Sequence, residues 1–236
     1  MCEVPAEANC PDYDERPERF RAAQQATSRY GLVGDVHERV AERIHAEGLA
    51  PVLDLGCGEG RLIRPLRERR IRVVGLDGSA TMPASVPEPK ALADARDIPF
   101  PDDHFGSVAA LYVLYHLPDP AVAMAESRRV LRAGGLFVAC APSRHNDPEL
   151  SALLPTSPQA TFDAENGPDM VSRFFQEIEV ERWDGPLVLL PDRDALLLYL
   201  KGRGLSDEDV RRVVTCVSTP LTLTKRGALI FGYKRV

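Results

Sequence analysis

Between residues 51 and 142, short apolar segments alternate with amphipathic ones, and this alternation limits the fold more than any other feature of the sequence. The apolar segments predict β-strands at 51–56, 71–77, 90–95, 107–114 and 136–142. The segments between them predict helices at 60–70 and 119–135 and a short helix or turn at 78–86. Because strands that alternate with helices form parallel βαβ units, the sequence predicts an α/β fold with a doubly wound, mostly parallel sheet.

Helical segments flank this region on both sides. After a loose arm at 1–16, the further elements predicted are helices at 17–28, 35–47, 168–175, 192–204 and 206–217 and strands at 177–183 and 221–236. Asp35, Asp119 and Ser206 are the expected helix N-caps. We therefore divide the chain into three parts. They are an N-terminal helical arm that serves as a lid (1–48), a core (49–183 and 219–236) and a small helical cap insertion (184–218).

Composition indicates a soluble, cytoplasmic protein. The 236 residues are 44% hydrophobic, enough for one core with a small cap. No segment resembles a signal peptide or reaches the roughly 20 apolar residues of a membrane span. The formal net charge of −6 disfavours nucleic acid as a partner, because neutralised phosphates dominate such affinity. The oligomeric state stays open.

No metal is expected. The five cysteines are widely spaced and without a C-x-x-C pair, so they predict neither a disulfide framework nor a zinc site. Asp102, Asp103 and His104 are typical of a turn, and adjacent residues do not easily converge on one ion.

The first predicted strand ends in a glycine-rich turn, VLDLGCGEG at 52–60, which carries one acid, Asp54. In an α/β sheet, ligands bind beyond the carboxyl ends of the strands, where glycines allow a close approach of backbone N–H groups. The turn fits neither the P-loop pattern nor G-x-G-x-x-G, in which Arg61 takes the third glycine position. Asp77, about 20 residues further on, suits a ribose diol and indicates a nucleoside. A plain turn, with Asp77 as a helix cap, is the alternative.

Four motifs occur in order over residues 50–142. VLDLGCGEG and VVGLDGSATM are followed by ADARDIPFPDDHFGSVAALYVLYHL at 93–117 and ESRRVLRAGGLFVACAP at 126–142. Together they resemble the class I S-adenosylmethionine-dependent methyltransferases, in the ubiquinone-biosynthesis-like form of the methyltransferase type 11 branch. The resemblance implies a Rossmann-like sheet, S-adenosylmethionine as the cofactor and S-adenosylhomocysteine as its product.

The same resemblance implies roles for individual residues. The glycine turn approaches the methionine half of the cofactor, where Asp54 and Glu59 supply negative charge; for Asp54, orienting the loop by accepting backbone N–H bonds is the alternative. Asp77 holds the ribose hydroxyls, Asp94 accepts from the adenine amino group, and the Ala95 N–H donates to the ring. The implied cofactor-binding residues are Asp54, Gly56, Cys57, Gly58, Glu59, Asp77, Gly78, Met82, Asp94, Ala95, Leu111 and His116.

Candidates for the chemistry and for the acceptor are fewer. His116 follows the fourth predicted strand, at the edge where a general base would lie; packing beside the cofactor is the alternative. Tyr13, Tyr30 and Phe162 are aromatic residues in the presumed cap segments that would stack on a planar acceptor, and His145 lies in the loop after ACAP. For the aromatic residues core packing is the alternative, and for His145 simple exposure.

We therefore predict a methyltransferase that acts on an O, N or C nucleophile of a small-molecule acceptor. The high Arg, Ala and Pro usage suits a GC-rich bacterial genome and, by association, secondary metabolism. Two alternatives stay open. One is a ribosomal RNA guanine methyltransferase, which APSRHNDPELSALL resembles but whose zinc module Cys2 and Cys10 do not supply; the other is a cofactor-binding regulatory protein without turnover. We also expect residues 11–31 to lie over the cofactor pocket and to become ordered when ligand binds.

Overall fold

A seven-stranded sheet forms the centre of the computed structural model, which describes residues 17–32, 34–79, 86, 89–155, 160–203 and 205–235. The strands are β1 (Val52–Leu55), β2 (Val73–Asp77), β3 (Lys90–Leu92), β4 (Phe105–Leu111), β5 (Leu131–Pro142), β6 (Gln176–Leu190) and β7 (Leu221–Tyr233). Their order across the sheet is β3-β2-β1-β4-β5-β7-β6. Strands β1 to β5 are parallel, whereas β7 runs antiparallel to both β5 and β6. The predicted mostly parallel α/β sheet is confirmed.

Helices cover both faces of this sheet. They are α1 (Pro17–Tyr30), α2 (Val36–Glu47), α3 (Ile63–Glu68), α4 (Pro120–Val130), α5 (Gly167–Ser172), α6 (Arg193–Gly202) and α7 (Asp207–Cys216). Side chains alternate along each strand, so on β5 Leu136 and Val138 pack with α2 and α3, whereas Phe137 and Ala139 pack with α4 and α5. A strand buried on both faces is apolar, as residues 136–141 of β5 are. Within the described ranges, no helix is both long enough and apolar enough to span a bilayer.

Side-chain caps fix where several helices begin. Asp35, Asp119 and Ser206 each accept a hydrogen bond from a backbone N–H in the first turn of α2, α4 and α7. These N–H groups have no partner within the helix, which is why a short polar side chain is favoured there. The three predicted caps are confirmed.

Helix α4 is shorter than its sequence pattern predicts. It was expected to reach residue 135 but ends at Val130, because Leu131 pairs with Phe105 as the first residue of β5. Strand β6 is longer than expected. It continues to Leu190 because β7 pairs with it along its length. Residues 184–190, which the sequence assigned to the helical insertion, are therefore strand.

The ribbon formed by β6 and β7 extends past β5, since residues 221–226 of β7 pair with β6 alone. It carries α1, α6 and α7, which we call the cap. The Leu32 N–H donates to the Leu187 carbonyl, and α1 crosses α6 so closely that a Cβ on Gly202 would lie 2.6 Å from the Ala23 Cα. A separate apolar cluster joins the cap to the ribbon: Ala26, Leu150, Val188, Leu190, Ala195, Leu196, Tyr199, Leu200, Val213, Val214 and Leu223.

Candidate active site

A cavity of about 1410 Å³ lies at the carboxyl edge of the sheet, beside helix α1 of the cap. Gly56, Asp77, Leu111 and Pro142, which end or follow four parallel strands, line it. Helix α1 contributes Phe20, Ala23, Gln24 and Thr27 to the wall. This is the edge at which doubly wound sheets bind ligands.

The backbone conformation of the turn after β1 requires glycine at three positions. Gly56, Gly58 and Gly60 have φ angles of +74°, +49° and +78°, a left-handed region that most side chains disfavour. A Cβ on Gly56 would also lie 2.6 Å from Cγ2 of Val113. The N–H of Gly56 donates to the Leu76 carbonyl, which ties the turn to β2.

Asp77, the last residue of β2, holds the glycine turn in place. Its Oδ2 accepts from the Gly58 N–H at 2.8 Å, and its Oδ1 accepts from the Ser79 N–H at 2.9 Å. Each carboxylate oxygen can accept a further hydrogen bond. Asp77 thus orders the local backbone and retains acceptor capacity toward the cavity that it lines.

Asp54 lies in the same wall, and the described residues leave part of the hydrogen-bonding capacity of its carboxylate unsatisfied. Only 3% of the residue is exposed, and among the described residues its Oδ2 has no hydrogen-bond partner. Burial, followed by the negative charge of Asp77, raises the pKa of Asp54 to about 7. Because an unpaired buried carboxylate is costly, this oxygen favours a ligand that brings a donor or a positive charge.

The remaining predicted cofactor residues fall into two groups. Residues that line the cavity are Cys57, Gly58, Gly78, Asp94, Ala95, Leu111 and His116. Asp94 also pairs with Arg96, whose Nη2 lies 2.6 Å from Oδ2, and this hydrogen bond lowers the pKa of Asp94. Glu59 is not among the lining residues and instead pairs with Arg21 of α1 at 3.0 Å. Met82 lies outside the described residues.

His116 belongs to a short 3-10 helix, Leu114–His116, that follows the end of β4 at Leu111. It is half-buried, with its ring centroid 4.2 Å from that of Tyr115. Burial, followed by the positive charge of Arg19, lowers the pKa of His116 to about 4. The imidazole is therefore neutral near pH 7, the state in which it can accept a proton, although it is a weak base.

The residues expected to contact the acceptor lie elsewhere. Tyr30 packs against the apolar cluster of the cap. Phe162 is fully buried in the core between the sheet and α4 and α5, where its ring fills the space beside Gly167. The N–H of His145 donates to the Ser143 hydroxyl. None of these three lines the cavity, and Tyr13 lies outside the described residues.

The part of the cavity wall that β6 and β7 supply was not predicted from the sequence. Arg182 and Trp183 of β6 and Lys225 of β7 line it. Strand β7 is the third neighbour from β1, roughly 14 Å away at about 4.8 Å per strand. A Cβ on Gly227 would lie 2.2 Å from Cζ2 of Trp183. A glycine inside a strand indicates such a close approach, and this was the available signal.

Exposed ion pairs join the N-terminal helices to the glycine turn. Arg21 of α1 pairs with Glu59 at 3.0 Å, and Arg61 pairs with Asp35 at the start of α2 at 2.7 Å. Solvent-exposed pairs contribute about 0–1 kcal/mol each. These links therefore position the helices without fixing them.

The described part of the chain contains no group of His, Cys, Asp or Glu that could hold a metal ion. The carboxylates of the predicted 102–104 turn are engaged in ion pairs, Asp102 with Arg129 and Asp103 with Lys234, both with N–O distances below 3 Å.

Comparison with known proteins identifies the central part of the chain. Residues 53–139 match the family model described as a methyltransferase domain. The chain contains a class I S-adenosylmethionine-dependent methyltransferase domain. The matched segment runs from β1 into β5 and includes the glycine turn, Asp77, Asp94 and His116.

Relatives of this methyltransferase domain differ in what their names report. Phosphatidylethanolamine N-methyltransferase of Cereibacter sphaeroides is 36% identical over 111 residues, 42% of this chain and 54% of that protein. A probable S-adenosylmethionine-dependent methyltransferase of Mycolicibacterium smegmatis is 35% identical over 114 residues, 46% of this chain and 44% of that protein. The chain thus spans about half the length of the curated relatives it matches. The [4+2]-cyclase SpnF shares the fold at 17% identity, with a TM-score of 0.64 over 100% of both chains.

Proposed function

We propose that this protein transfers a methyl group from S-adenosylmethionine to a small-molecule acceptor. The observation that carries the proposal is the acidic wall at the ends of β1 and β2. There Asp54 presents a buried oxygen without a partner among the described residues, beside the Asp77 carboxylate. Such a wall suits a ligand with cationic groups and a ribose, and disfavours a pyrophosphate.

Four of the predicted cofactor residues line the cavity and support this proposal: Asp54, Asp77, Asp94 and Ala95. Asp77 would hold the ribose hydroxyls with its remaining acceptor capacity, and Asp94 and Ala95 would hold the adenine. Asp54 and the backbone of the glycine turn would hold the methionine half. When bound, the cofactor supplies an electrophilic methyl group on a sulfonium.

The size of the cavity supports a second ligand beside the cofactor. A pocket of about 300–1,000 Å³ holds one drug-sized molecule, and this cavity measures about 1410 Å³. Much of the catalytic work in such a transfer is alignment and exclusion of water, and α1 covers the cavity in a position to do both. His116, neutral near pH 7, would accept a proton from an acidic acceptor; an amine acceptor needs only late proton loss.

Binding of S-adenosylhomocysteine, measured by calorimetry, tests the cofactor site. Asp77→Ala should weaken binding about 10- to 100-fold, because it removes acceptors for the ribose and releases the glycine turn. Asp169→Ala, at an exposed carboxylate of α5 that does not line the cavity, is the matched control and should bind like wild type. Unchanged affinity in Asp77→Ala would contradict the assignment, as would tight binding of NAD.

Transfer of a labelled methyl group tests turnover. We expect label to reach members of a metabolite panel that carry O, N or C nucleophiles. Label found only in ribosomal RNA would replace the proposal with an RNA methyltransferase. Tight cofactor binding with no transfer to any substrate would favour a regulatory protein instead. A cytoplasmic location and a role in bacterial secondary metabolism stay predictions.

A further inference from the structure

A charged cluster behind the β7 side of the cavity takes no part in the proposed cofactor site. Its centre is Asp147, which follows β5 and is 0% exposed. Oδ2 of Asp147 accepts from the Tyr199 hydroxyl of α6 and from Arg203 Nη1, each at 2.5 Å. Oδ1 accepts from Nζ of Lys225 on β7 at 2.7 Å. The cluster therefore fastens the cap to β7.

Lys225 is the member of this cluster that lines the cavity. Its Nζ donates to Asp147 and, at 2.9 Å, to the Tyr199 hydroxyl. An ammonium group has three N–H donors, and the third has no protein acceptor among the described residues. Burial, followed by the Asp147 charge, raises the pKa of Tyr199 well above its usual value, so its hydroxyl stays neutral and accepts from Lys225. Two buried partners thus hold Nζ in place with one donor to spare.

The other charged residues of this wall have partners of their own. Arg182 and Arg226 also line the cavity, but Arg182 donates to the Ala164 carbonyl at 2.7 Å and Arg226 pairs with Asp184 at 2.9 Å. Glu181, a carboxylate on the same wall, pairs with Arg39 at 2.5 Å and so is neutralised. The β6–β7 wall therefore offers the positive charge of Lys225 and its remaining N–H donor, in contrast to the acidic wall at β1 and β2.

We propose, on the basis of the function proposed above, that Lys225 binds an anionic oxygen of the acceptor, a carboxylate or a phosphate ester. Asp147 and Tyr199 position its Nζ and do not touch the acceptor. The two ligands then bind in different parts of the cavity according to their charge, the cationic cofactor at β1 and β2 and the acidic acceptor at β7. The separation of β7 from β1, roughly 14 Å, favours acceptors whose anionic group lies several bonds from the nucleophile.

The single tryptophan of the chain reports on this wall, because Trp183 also lines it. Protein saturated with S-adenosylhomocysteine is titrated with benzoate, phenyl phosphate and neutral benzamide while tryptophan fluorescence is recorded. An anion should produce a saturable change that benzamide does not, and the anion with the higher affinity identifies the class. Lys225→Met should weaken anion binding about tenfold or more, whereas Lys225→Arg, which keeps the charge, should stay within about threefold.

Further variants separate positioning from folding. Tyr199→Phe removes one hydrogen bond to Nζ and should weaken anion binding several-fold while the affinity for S-adenosylhomocysteine stays unchanged. If Lys225→Met alone fails to fold because Asp147 loses one of its partners, the double variant with Asp147→Asn removes both charges and should show the same loss of anion binding.

The outcomes distinguish this inference from the proposed function. Anion affinity that is equal in wild type and in the Lys225→Met variants, no anion response in wild type, or an equal response to benzamide would overturn the role of Lys225. Failure of wild type to bind S-adenosylhomocysteine would instead overturn the cofactor assignment.

Discussion

At the scale of single residues, Asp54 and Asp77 show how two neighbouring carboxylates in a binding site cost stability. They lie at the carboxyl ends of neighbouring strands and line one cavity. Burial and the charge of Asp77 raise the pKa of Asp54 to about 7, from an ordinary value of 3.8. Between pH 3.8 and about pH 7, the Asp54 carboxyl is protonated in the folded protein and ionised in the unfolded chain. A cationic ligand favours the ionised carboxylate and offsets the cost.

Asp54→Asn should remove this titration while keeping the shape of the side chain. A carboxyl whose pKa is raised on folding stabilises the protein below its unfolded pKa and loses that contribution as the pH rises through the folded value. The free energy of unfolding of wild type, relative to Asp54→Asn, should therefore fall by a few kcal/mol between about pH 4 and about pH 8. Urea unfolding of both proteins over this range measures it. A difference that does not vary with pH would show that Asp54 titrates normally.

Gly56→Ala should damage both stability and the site. The left-handed φ of +74° and the contact of a Cβ with Val113 together cost about 2–4 kcal/mol. Gly34→Ala is the matched control, because no atom of the described residues lies within 4 Å of a Cβ added there. Urea unfolding and calorimetry with S-adenosylhomocysteine should show a large loss in the first variant and little change in the second. Equal behaviour of the two variants would mean that the turn relaxes around a side chain.

At the scale of elements, the cap combines helices from distant parts of the sequence. Helix α1 packs on α6, and Gly31 forms a bridge with Val188 of β6. By contrast, α1 meets the glycine turn through the exposed Arg21–Glu59 pair. Exposed pairs are weak and apolar clusters strong. Opening of the cavity would therefore separate α1 from the turn and leave the apolar cluster of the cap intact.

Helix α1 should gain protection when ligand binds. Hydrogen exchange over residues 17–31 is expected to slow on addition of S-adenosylhomocysteine. Helix α1 lines the cavity, and the weak, exposed Arg21–Glu59 ion pair described above joins it to the glycine turn before ligand binds. Helix α4, which contributes no residue to the cavity wall, is the internal control and should not change. If the glycine turn becomes protected while residues 17–31 exchange equally fast in both states, α1 is not a lid. Residues 11–16 of the proposed lid lie outside the described residues.

The elements that depend on local physics could be predicted from the sequence. A cap at Asp35 begins α2, and glycines follow β1 because the backbone turns there. The end of α4 could not be predicted, since Leu131 continues the helical spacing and only its pairing with Phe105 makes it strand. The two walls of the site differ, for the same reason, in whether they could be predicted. The cofactor wall is built from motifs that are local in the sequence, so it could be predicted. Lys225 lies at the cavity only because β6 and β7, segments about 40 residues apart in sequence, pair antiparallel, so its position could not be predicted.

At the scale of the whole molecule, acidic residues outnumber basic ones, 35 to 29, and the net charge is −6. Binding to RNA depends on counterion release by a basic surface. We therefore expect no binding of ribosomal RNA fragments near physiological salt in a gel-shift assay, with an unrelated RNA-binding protein as the positive control. A shifted band that fades as the salt concentration rises would count against a small-molecule acceptor.

The position of β7 also bears on how the chain is made. Strand β7 lies between β5 and β6 although it follows both in the sequence. As the chain leaves the ribosome, β5 therefore keeps an open edge, and β6 has no partner in the sheet until residues 221–233 emerge. Open strand edges pair readily with other chains. The nascent protein is thus most prone to aggregation just before β7 appears, and a chaperone that covers the edge of β5 would protect it during that interval.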